Sequence, residues 1–166
     1  MRLNLISVRI SKYNPIHRDI NGYYLKHEWI SYYDIGKRFP DGILTEDAYL
    51  NIENKYLYVV KVLFHVMPIA TFRIKDLEVY NRKYKKVLRE GEQIPENRIN
   101  TIVRLIMREM FWCKLVNEYV EVHFGYDYYI YIVFKKGYTV RKIIDYFKIV
   151  RAVGLYRENK GPIYYL

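Results

Sequence analysis

Two runs of β-branched and aromatic residues, separated by a short turn, constrain the fold more than any other feature. The first run lies between Leu115 and Phe124 and the second between Tyr128 and Phe134, with Gly125-Tyr126-Asp127 between them. These runs have the strongest β-propensity in the chain, and a turn this short joins two antiparallel strands. The sequence therefore predicts a β-hairpin here.

Two longer segments carry apolar residues at helical spacing. The first is preceded by Thr45, whose hydroxyl can accept hydrogen bonds from free backbone amides, and it runs from about 46 to 66, before Pro68. In the second, Pro95 suits a first helical turn, and the apolar spacing continues to about Trp112. We predict a buried helix in each segment.

The remaining signals are weaker. Thr139 is a suitable cap for a third helix, which ends at Gly154. A strongly basic helix with few apolar anchors is predicted from 76 to 89. Short strands are predicted at residues 2–10, 70–74, 155–157 and 162–166.

The order of these elements indicates the fold class. Strands and helices do not alternate as a parallel sheet requires, so we predict an α+β fold. We expect a single domain over residues 1–166, with a mainly antiparallel sheet packed with three to four helices. A chain of this length can bury one core without disulfides or metal ions.

A long segment without periodicity follows the first predicted strand. Residues 11–44 contain several turn-forming pairs and at most a short helix from Ser31 to Lys37. A connection of this length inside a compact domain is either functional or wrongly assigned. The segment mixes aromatic anchors, charges and turn residues, which makes it a candidate recognition surface.

The residue types that usually catalyse reactions or bind metal ions do not form a recognisable motif in this sequence. The four histidines lack zinc-ligand spacing, and no nucleotide-binding or nucleophile motif is present. Cys113, the only cysteine, lies in an apolar run and is predicted to be a core residue. We therefore predict no catalytic residues, no metal ion and no cofactor, and expect that the protein is not an enzyme. A minor alternative is a metal site that uses His17, Asp19, His27 and Glu28.

The net charge of +10 favours an anionic partner but identifies none. Residues 1–60 are nearly neutral, and the positive excess lies in residues 61–166. The basic segments 82–89 and 135–142 stand near tyrosines, so nucleic-acid binding remains an alternative function. A nuclease is a less favoured alternative, and its candidate residues are Glu121, His123, Asp127 and Lys135.

The beginning of the chain does not have the pattern of a signal peptide. The longest apolar stretch, residues 56–70, is interrupted by Lys61 and His65 and is too short to span a bilayer. A single cysteine also suits a reducing compartment. We expect a cytoplasmic protein without a transmembrane segment.

Several stretches together resemble small bacterial immunity proteins of polymorphic or contact-dependent toxin systems. They are Ser11–Tyr24, Glu28–Gly36, Leu44-Thr45 and Phe124–Ile132. The resemblance implies a protein that binds one cognate toxin in the cytoplasm and blocks its action. The charge departs from the pattern, because immunity proteins against basic nuclease toxins are commonly acidic. The nearly neutral first 60 residues are the only candidate region for an acidic patch.

Exposed tyrosines favour a protein interface, and the tyrosines around Asp127 are too dense to be buried on one face. We predict that the partner is bound by the aperiodic segment and the hairpin turn. The candidate partner-binding residues are Asp19, Tyr24, Glu28, Trp29, Tyr33, Asp34, Tyr126, Asp127 and Tyr128.

Overall fold

Seven antiparallel strands form one sheet in a computed structural model of the chain, which describes residues 5–161. The elements are β1 (Ile6–Ser11), β2 (Arg38–Phe39), β3 (Gly42–Ile43), α1 (Glu46–Val66), β4 (Thr71–Val79), β5 (Gln93–Pro95), α2 (Glu96–Met107), β6 (Phe111–Val116), β7 (Val120–Phe124), β8 (Ile130–Phe134), α3 (Val140–Ala152) and β9 (Tyr156–Glu158). The strand order in the sheet is β5-β4-β6-β7-β8-β1-β9, and β2 pairs only with β3. The predicted single-domain α+β fold is confirmed.

The helices cover one face of this sheet. Phe64 of α1 packs edge-on against Phe72, and Tyr146 of α3 packs against Phe134, so both helices lie on the same side. Alternate strand residues point into this core because successive side chains of a strand face opposite ways. On the other face the strands present polar residues, including Glu121 of β7.

The predicted hairpin is confirmed as β7 and β8, which pair from Val120 opposite Phe134 to Phe124 opposite Ile130. Strand β1 lies on the other side of β8, and β9 pairs with β1 in turn. The strand nearest the start of the described chain is thus held between two strands from its last third.

The first and third predicted helices are confirmed as α1 and α3. The hydroxyl of Thr45 accepts a hydrogen bond from the amide of Ala48, and that of Thr139 accepts one from Lys142. Each cap satisfies a backbone donor that has no partner within its helix. The predicted strands at 70–74 and 155–157 correspond to the start of β4 and to β9, whereas residues 162–166 lie outside the described range.

The predicted basic helix from 76 to 89 is wrong. Strand β4 continues to Val79, and only Arg82–Tyr84 forms a short 3₁₀ helix. The carboxylate of Glu90 accepts the backbone amides of Asp76 and Leu77, which supports an irregularity in the strand. Of the apolar residues in this segment, Leu77 and Val79 therefore belong to the strand.

The second predicted helix ends earlier than expected. Helix α2 ends at Met107, and the apolar run that follows forms β6, whose alternate residues Phe111, Cys113 and Leu115 are buried. A short apolar run fits either a buried helix or a strand by pattern alone. None of the helices within residues 5–161 is long and apolar enough to cross a membrane.

The long segment between β1 and α1, residues 12–45, is confirmed as mostly irregular. It contains two 3₁₀ helices, Pro15–His17 and Tyr32–Asp34, and the small β2–β3 hairpin. The second 3₁₀ helix falls within the predicted short helix from Ser31 to Lys37. We refer to residues 12–45 as the long loop.

Candidate functional site

The long loop and the β7–β8 turn, which lie far apart in sequence, meet at one end of the sheet. Trp29 of the loop packs edge-on against Tyr128 of the turn, with ring centroids 5.0 Å apart. Arg18 of the loop donates a hydrogen bond of 2.9 Å to the hydroxyl of Tyr129. The two halves of the predicted partner-binding set therefore belong to one region.

Two open cavities lie in this region. The loop cavity, of about 510 Å³, lies between the long loop and the turn. The aromatic cavity, of about 710 Å³, extends from the turn to the α2–β6 connection. Ile30, Asp127 and Tyr129 line both cavities. Aromatic side chains that line the second include Tyr33, Tyr80, Phe111, Trp112 and Tyr126.

The turn itself has an unusual backbone. The amide of Tyr129 donates a 3.2 Å hydrogen bond to the carbonyl of Tyr126, and the two residues between them, Asp127 and Tyr128, have φ of +58° and +62°. Two consecutive positive φ values define a type I′ turn, which normally holds Asn-Gly or Asp-Gly, so the unusual residue is Tyr128. Left-handed backbone costs an L-residue about 1–2 kcal/mol, so contacts of the side chains must hold this turn in place.

Tyr128 supplies the largest of these contacts. Its buried hydroxyl donates a 2.8 Å hydrogen bond to the hydroxyl of Tyr49, which donates at 3.1 Å to Glu53. Glu53 is fully buried and accepts a 2.7 Å charged hydrogen bond from Arg108 of α2. The hydroxyl of Tyr56 donates to the carbonyl of Tyr128 at 2.6 Å. Burial, with Tyr49 adjacent, holds the pKa of Tyr128 well above its usual range, so this hydroxyl remains a donor.

The C-terminus of α2 adds a third left-handed residue. The amide of Met110 donates to the carbonyl of Leu105 at 3.0 Å, and the amide of Glu109 donates to that of Ile106 at 2.9 Å. These bonds close the helix in a Schellman motif, whose left-handed position usually holds glycine. Here Glu109 occupies it with φ of +60°. Its carboxylate accepts a 2.7 Å hydrogen bond from the hydroxyl of Ser31 in the long loop.

These conformations are concentrated at one place. Within residues 5–161, the non-glycine residues with positive φ are Asp76, Glu109, Asp127 and Tyr128. All but Asp76 line the aromatic cavity. Strained residues of this kind persist where surrounding contacts hold them, and they cluster at binding and catalytic sites. The concentration marks the aromatic cavity as the strongest candidate site in the described chain.

The charge of the aromatic cavity contrasts with that of the whole protein. The chain carries 28 basic residues, yet the charged residues among those described that line this cavity are Glu109 and Asp127. Partial burial raises the pKa of Asp127, the negative charge of Glu109 raises it further, and Lys12 opposes both. The cavity therefore presents negative charge on an aromatic wall.

Lys12 fixes the start of the long loop. Its Nζ lies 4.2 Å from the ring centroids of both Tyr13 and Trp29, and it forms a 2.9 Å ion pair with Glu28. The other carboxylate oxygen of Glu28 accepts a 2.6 Å hydrogen bond from the hydroxyl of Tyr24. Burial lowers the pKa of Lys12, and the bond to Glu28 opposes that effect. These contacts hold the loop in one conformation.

The predicted partner-binding residues fall into two groups. Tyr33, Tyr126 and Asp127 are exposed and line the aromatic cavity. The other six make contacts within the loop and the turn, although Tyr128 also lines the aromatic cavity and Tyr24, Glu28 and Asp34 line the loop cavity. These six are Asp19, Tyr24, Glu28, Trp29, Asp34 and Tyr128.

Asp19 and Asp34 have clear structural roles. The carboxylate of Asp19 accepts the backbone amides of Asn21 and Tyr23 and so closes a turn. Asp34 is buried, accepts the amides of Ile30 and Ser31, and pairs with a lysine three residues later. Asp34 is buried and paired, whereas Asp19 is only partly buried.

The predicted partner-binding set lacks several residues that line the aromatic cavity, among them four that shape its charge and its walls: Ile30, Tyr80, Glu109 and Trp112. Three of them lie in or beside the segments that were wrongly predicted to be helical. Trp112 is instead a strand residue, and its Nε1 donates a 2.6 Å hydrogen bond to the carbonyl of Phe124. Correct placement of β6 would have been needed to find it.

The alternative chemical sites are only partly assembled. The carboxylate of Glu121 lies 2.8 Å from the Nε2 of His123 and accepts a 3.0 Å hydrogen bond from the Nζ of Lys135. Both contacts are on the sheet face without helices. Asp127, the fourth candidate nuclease residue, stands at the turn beside the two cavities. No group of three His, Cys, Asp or Glu residues in the described part of the chain could hold a metal ion.

Cys113 is fully buried in the core, as the sequence predicts. Burial raises the pKa of its thiol to about 12, and the charge of Glu90 adds to this effect. A thiol in this state is a poor nucleophile at neutral pH.

The basic segment after β4 is exposed. Among residues 5–161 its arginines and lysines find no carboxylate partner within ion-pair distance. These residues are Arg82, Lys83, Lys85, Lys86 and Arg89.

Comparisons of this chain with protein-family models, with curated proteins and with solved structures find no match. The geometry of the site is therefore the main basis for a functional proposal.

Proposed function

We propose that the protein binds a protein partner through the aromatic cavity and the surface around it, and that this partner is a bacterial toxin. In this proposal the chain acts as an immunity protein that neutralises its cognate toxin in the cytoplasm. The observation that carries the proposal is the cluster of left-handed, non-glycine residues, Glu109, Asp127 and Tyr128, around an aromatic cavity. Stability alone would favour glycine or asparagine at the positions of Glu109 and Tyr128.

The exposed apolar surface supports a protein partner. Seven of the fifteen exposed large hydrophobic residues among residues 5–161 lie in the long loop, and Tyr80 and Tyr126 lie beside it. Tyr126 is the most exposed aromatic residue of this group, at 90%. Concentrated apolar exposure and protruding tyrosines are typical of protein interfaces.

The fixed loop supports tight binding. The contacts of Lys12 with Glu28 and the buried hydrogen bonds that link Tyr128 to Glu53 through Tyr49 hold the surface in place without a partner. A surface that is already ordered loses less conformational entropy on association than a flexible one. An inhibitor of a toxin benefits from such an arrangement, because it must remain bound.

The choice of a toxin as partner comes from the sequence resemblance. The test is to purify the chain with the product of a toxin-like reading frame next to its gene, and to measure both affinity and rescue of growth. We expect a stable complex and restored growth. Tyr126→Ala should weaken the complex about 30-fold, as for a central tyrosine worth about 2 kcal/mol. Tyr58→Ala, at an exposed tyrosine of α1, is the control and should leave affinity unchanged. A toxin that is neither bound nor neutralised would refute the proposal.

Nucleic-acid binding is the second candidate, because the basic segment from Arg82 to Arg89 is exposed and free of ion pairs within the described residues. Basic side chains that bind phosphates release counterions, so the affinity should fall steeply as salt is raised. Titration of a mixed-sequence RNA at two salt concentrations tests this. Absence of binding at low salt removes this candidate.

A further inference from the structure

The walls of the aromatic cavity are suited to a positively charged group. Tyr33 and Tyr126 are exposed, and Tyr80 is 58% exposed, so part of each side chain is accessible at the cavity. The face of an aromatic ring carries partial negative charge and attracts ammonium and guanidinium groups. Trp112 lines the same cavity, and the Nζ of Lys114 already lies 5.9 Å from its ring centroid.

Carboxylates stand on the same walls. Glu109 and Asp127 line the cavity, and the hydroxyl of Tyr80 donates a 3.1 Å hydrogen bond to Glu78 nearby. Burial raises the pKa of Tyr80 to about 12, together with the bond to Glu78 and the charges of Tyr126 and Glu109. The charged groups on this wall are therefore acidic, within a chain whose formal net charge is +10.

One of these carboxylates has no partner among the described residues. Ser31 bonds one oxygen of Glu109, but the carboxylate of Asp127 has neither a hydrogen bond nor an ion pair within residues 5–161. Glu109 occupies a left-handed position where glycine is preferred, whereas Asp127 occupies the first central position of a type I′ turn, where aspartate is common. The charge of Glu109 is thus held at a cost to the backbone, and residues held in this way cluster at ligand-binding sites.

The loop cavity provides an internal comparison. It shares Asp127 with the aromatic cavity, but Lys26, Lys37 and Arg38 also line it, which balances its acids. The excess of negative charge is thus specific to the aromatic cavity.

We infer that the aromatic cavity receives a lysine or arginine side chain of the partner, with Glu109 and Asp127 pairing its charge and the surrounding rings packing against it. This inference rests on the proposed function, because it names the chemistry of the toxin residue that enters the site. It also explains how this basic protein can bind a basic side chain of its partner, because the charged residues that line the cavity are acidic.

The experiment uses small probes, so that it does not depend on the toxin. Acetyl-arginine-amide, acetyl-lysine-amide and the uncharged acetyl-norleucine-amide are titrated into the isotope-labelled chain, and the amide signals of Tyr126 and Asp127 are followed by NMR. The cationic probes should bind at least tenfold more tightly than norleucine. Glu109→Gln combined with Asp127→Asn should reduce their affinity to that of norleucine. Asp41→Asn, at an exposed acid of the long loop, is the control and should have no effect.

Acidification provides a second readout. Protonation removes the charge of Asp127, so the affinity for the cationic probes should fall as the pH is lowered, while that for norleucine should not. The same double variant should weaken toxin binding at least tenfold, and Asp41→Asn should not.

The outcomes separate the two proposals. Equal affinity for all three probes, or equal binding to the double variant, would overturn the inference even if the toxin still binds. Selective binding of the cationic probes without any toxin binding would overturn the toxin assignment and leave the cation preference of the cavity standing.

Discussion

Helices α2 and α3 end in the same backbone geometry but with different residues. At the end of α3, the amide of Leu155 donates to Val150 at 3.1 Å, and Gly154 takes the left-handed position with φ of +80°. At the end of α2, Glu109 takes the equivalent position. The chain thus uses glycine where only the turn is needed, and a carboxylate where the aromatic cavity begins.

The two hairpin turns of the sheet differ in the same way. Between β6 and β7, the side chain of Asn117 accepts the amides of Tyr119 and Val120, and no residue there is left-handed. Between β7 and β8, Asp127 and Tyr128 are both left-handed. Of these two turns, only the one that lines the aromatic cavity has left-handed residues. Its side chains contribute to the cavity as well as to the turn.

The largest effect should come from removing the anchor of the strained turn. Tyr128→Ala loses a buried ring and its hydrogen bond to Tyr49, and should lower the free energy of unfolding by about 3–5 kcal/mol. Tyr128→Gly loses the same contacts but relieves the left-handed strain, so it should be less damaging by about 1 kcal/mol. Urea denaturation of both variants measures this difference. If alanine were the better residue at 128, the turn would not be strained.

Exchanges between glycine and another residue should also affect the two helix ends differently, with smaller changes in the free energy of unfolding. Gly154→Ala should lower the free energy of unfolding by about 1 kcal/mol, because alanine is disfavoured at a positive φ. Glu109→Gly should raise it by about 0.5 kcal/mol, since relief of strain exceeds the lost bond to Ser31. Partner binding should weaken in Glu109→Gly, which loses the carboxylate, and should be unchanged in Gly154→Ala. The control is Glu109→Ala, which loses the carboxylate and keeps the strain, and it should be less stable than Glu109→Gly.

The smallest effect concerns the pH dependence of stability. The folded-state pKa of Asp127 is raised, so the folded state favours the protonated carboxyl, and this contribution is lost as the pH rises through that pKa. Asp127→Asn should therefore gain stability relative to the unmodified chain as the pH rises from strongly acidic to neutral. The gain should stay below about 0.5 kcal/mol, because solvent screens an exposed carboxylate. Thermal unfolding at several pH values tests it, and a gain on acidification would contradict the assigned direction.

Much of the fold could be predicted from the sequence. The β7–β8 hairpin followed from dense β-branched and aromatic residues, and α1 and α3 followed from their threonine caps and apolar spacing. Strand β6 was missed because its apolar run fits a helix equally well. A glycine at 109 would have indicated the end of α2, but the chain places glutamate there.

The site was predictable only in part. The aperiodic, aromatic character of the long loop and of the turn indicated the correct region. It did not distinguish anchors such as Trp29 from surface residues such as Tyr126, because burial of a side chain depends on contacts that are distant in sequence. The left-handed conformation of Tyr128 could not be predicted, since tyrosine itself disfavours it.

The position of β1 between β8 and β9 determines how much of the chain must be synthesised before the binding surface can form. Ile6 pairs with Phe134 and Arg9 with Glu158, so this early strand enters the sheet only after the late strands have been synthesised. Contacts between residues so distant in sequence form slowly, and a domain folds as a unit. The long loop leaves directly from β1. A partner therefore meets the complete surface only on a protein whose synthesis has passed β9.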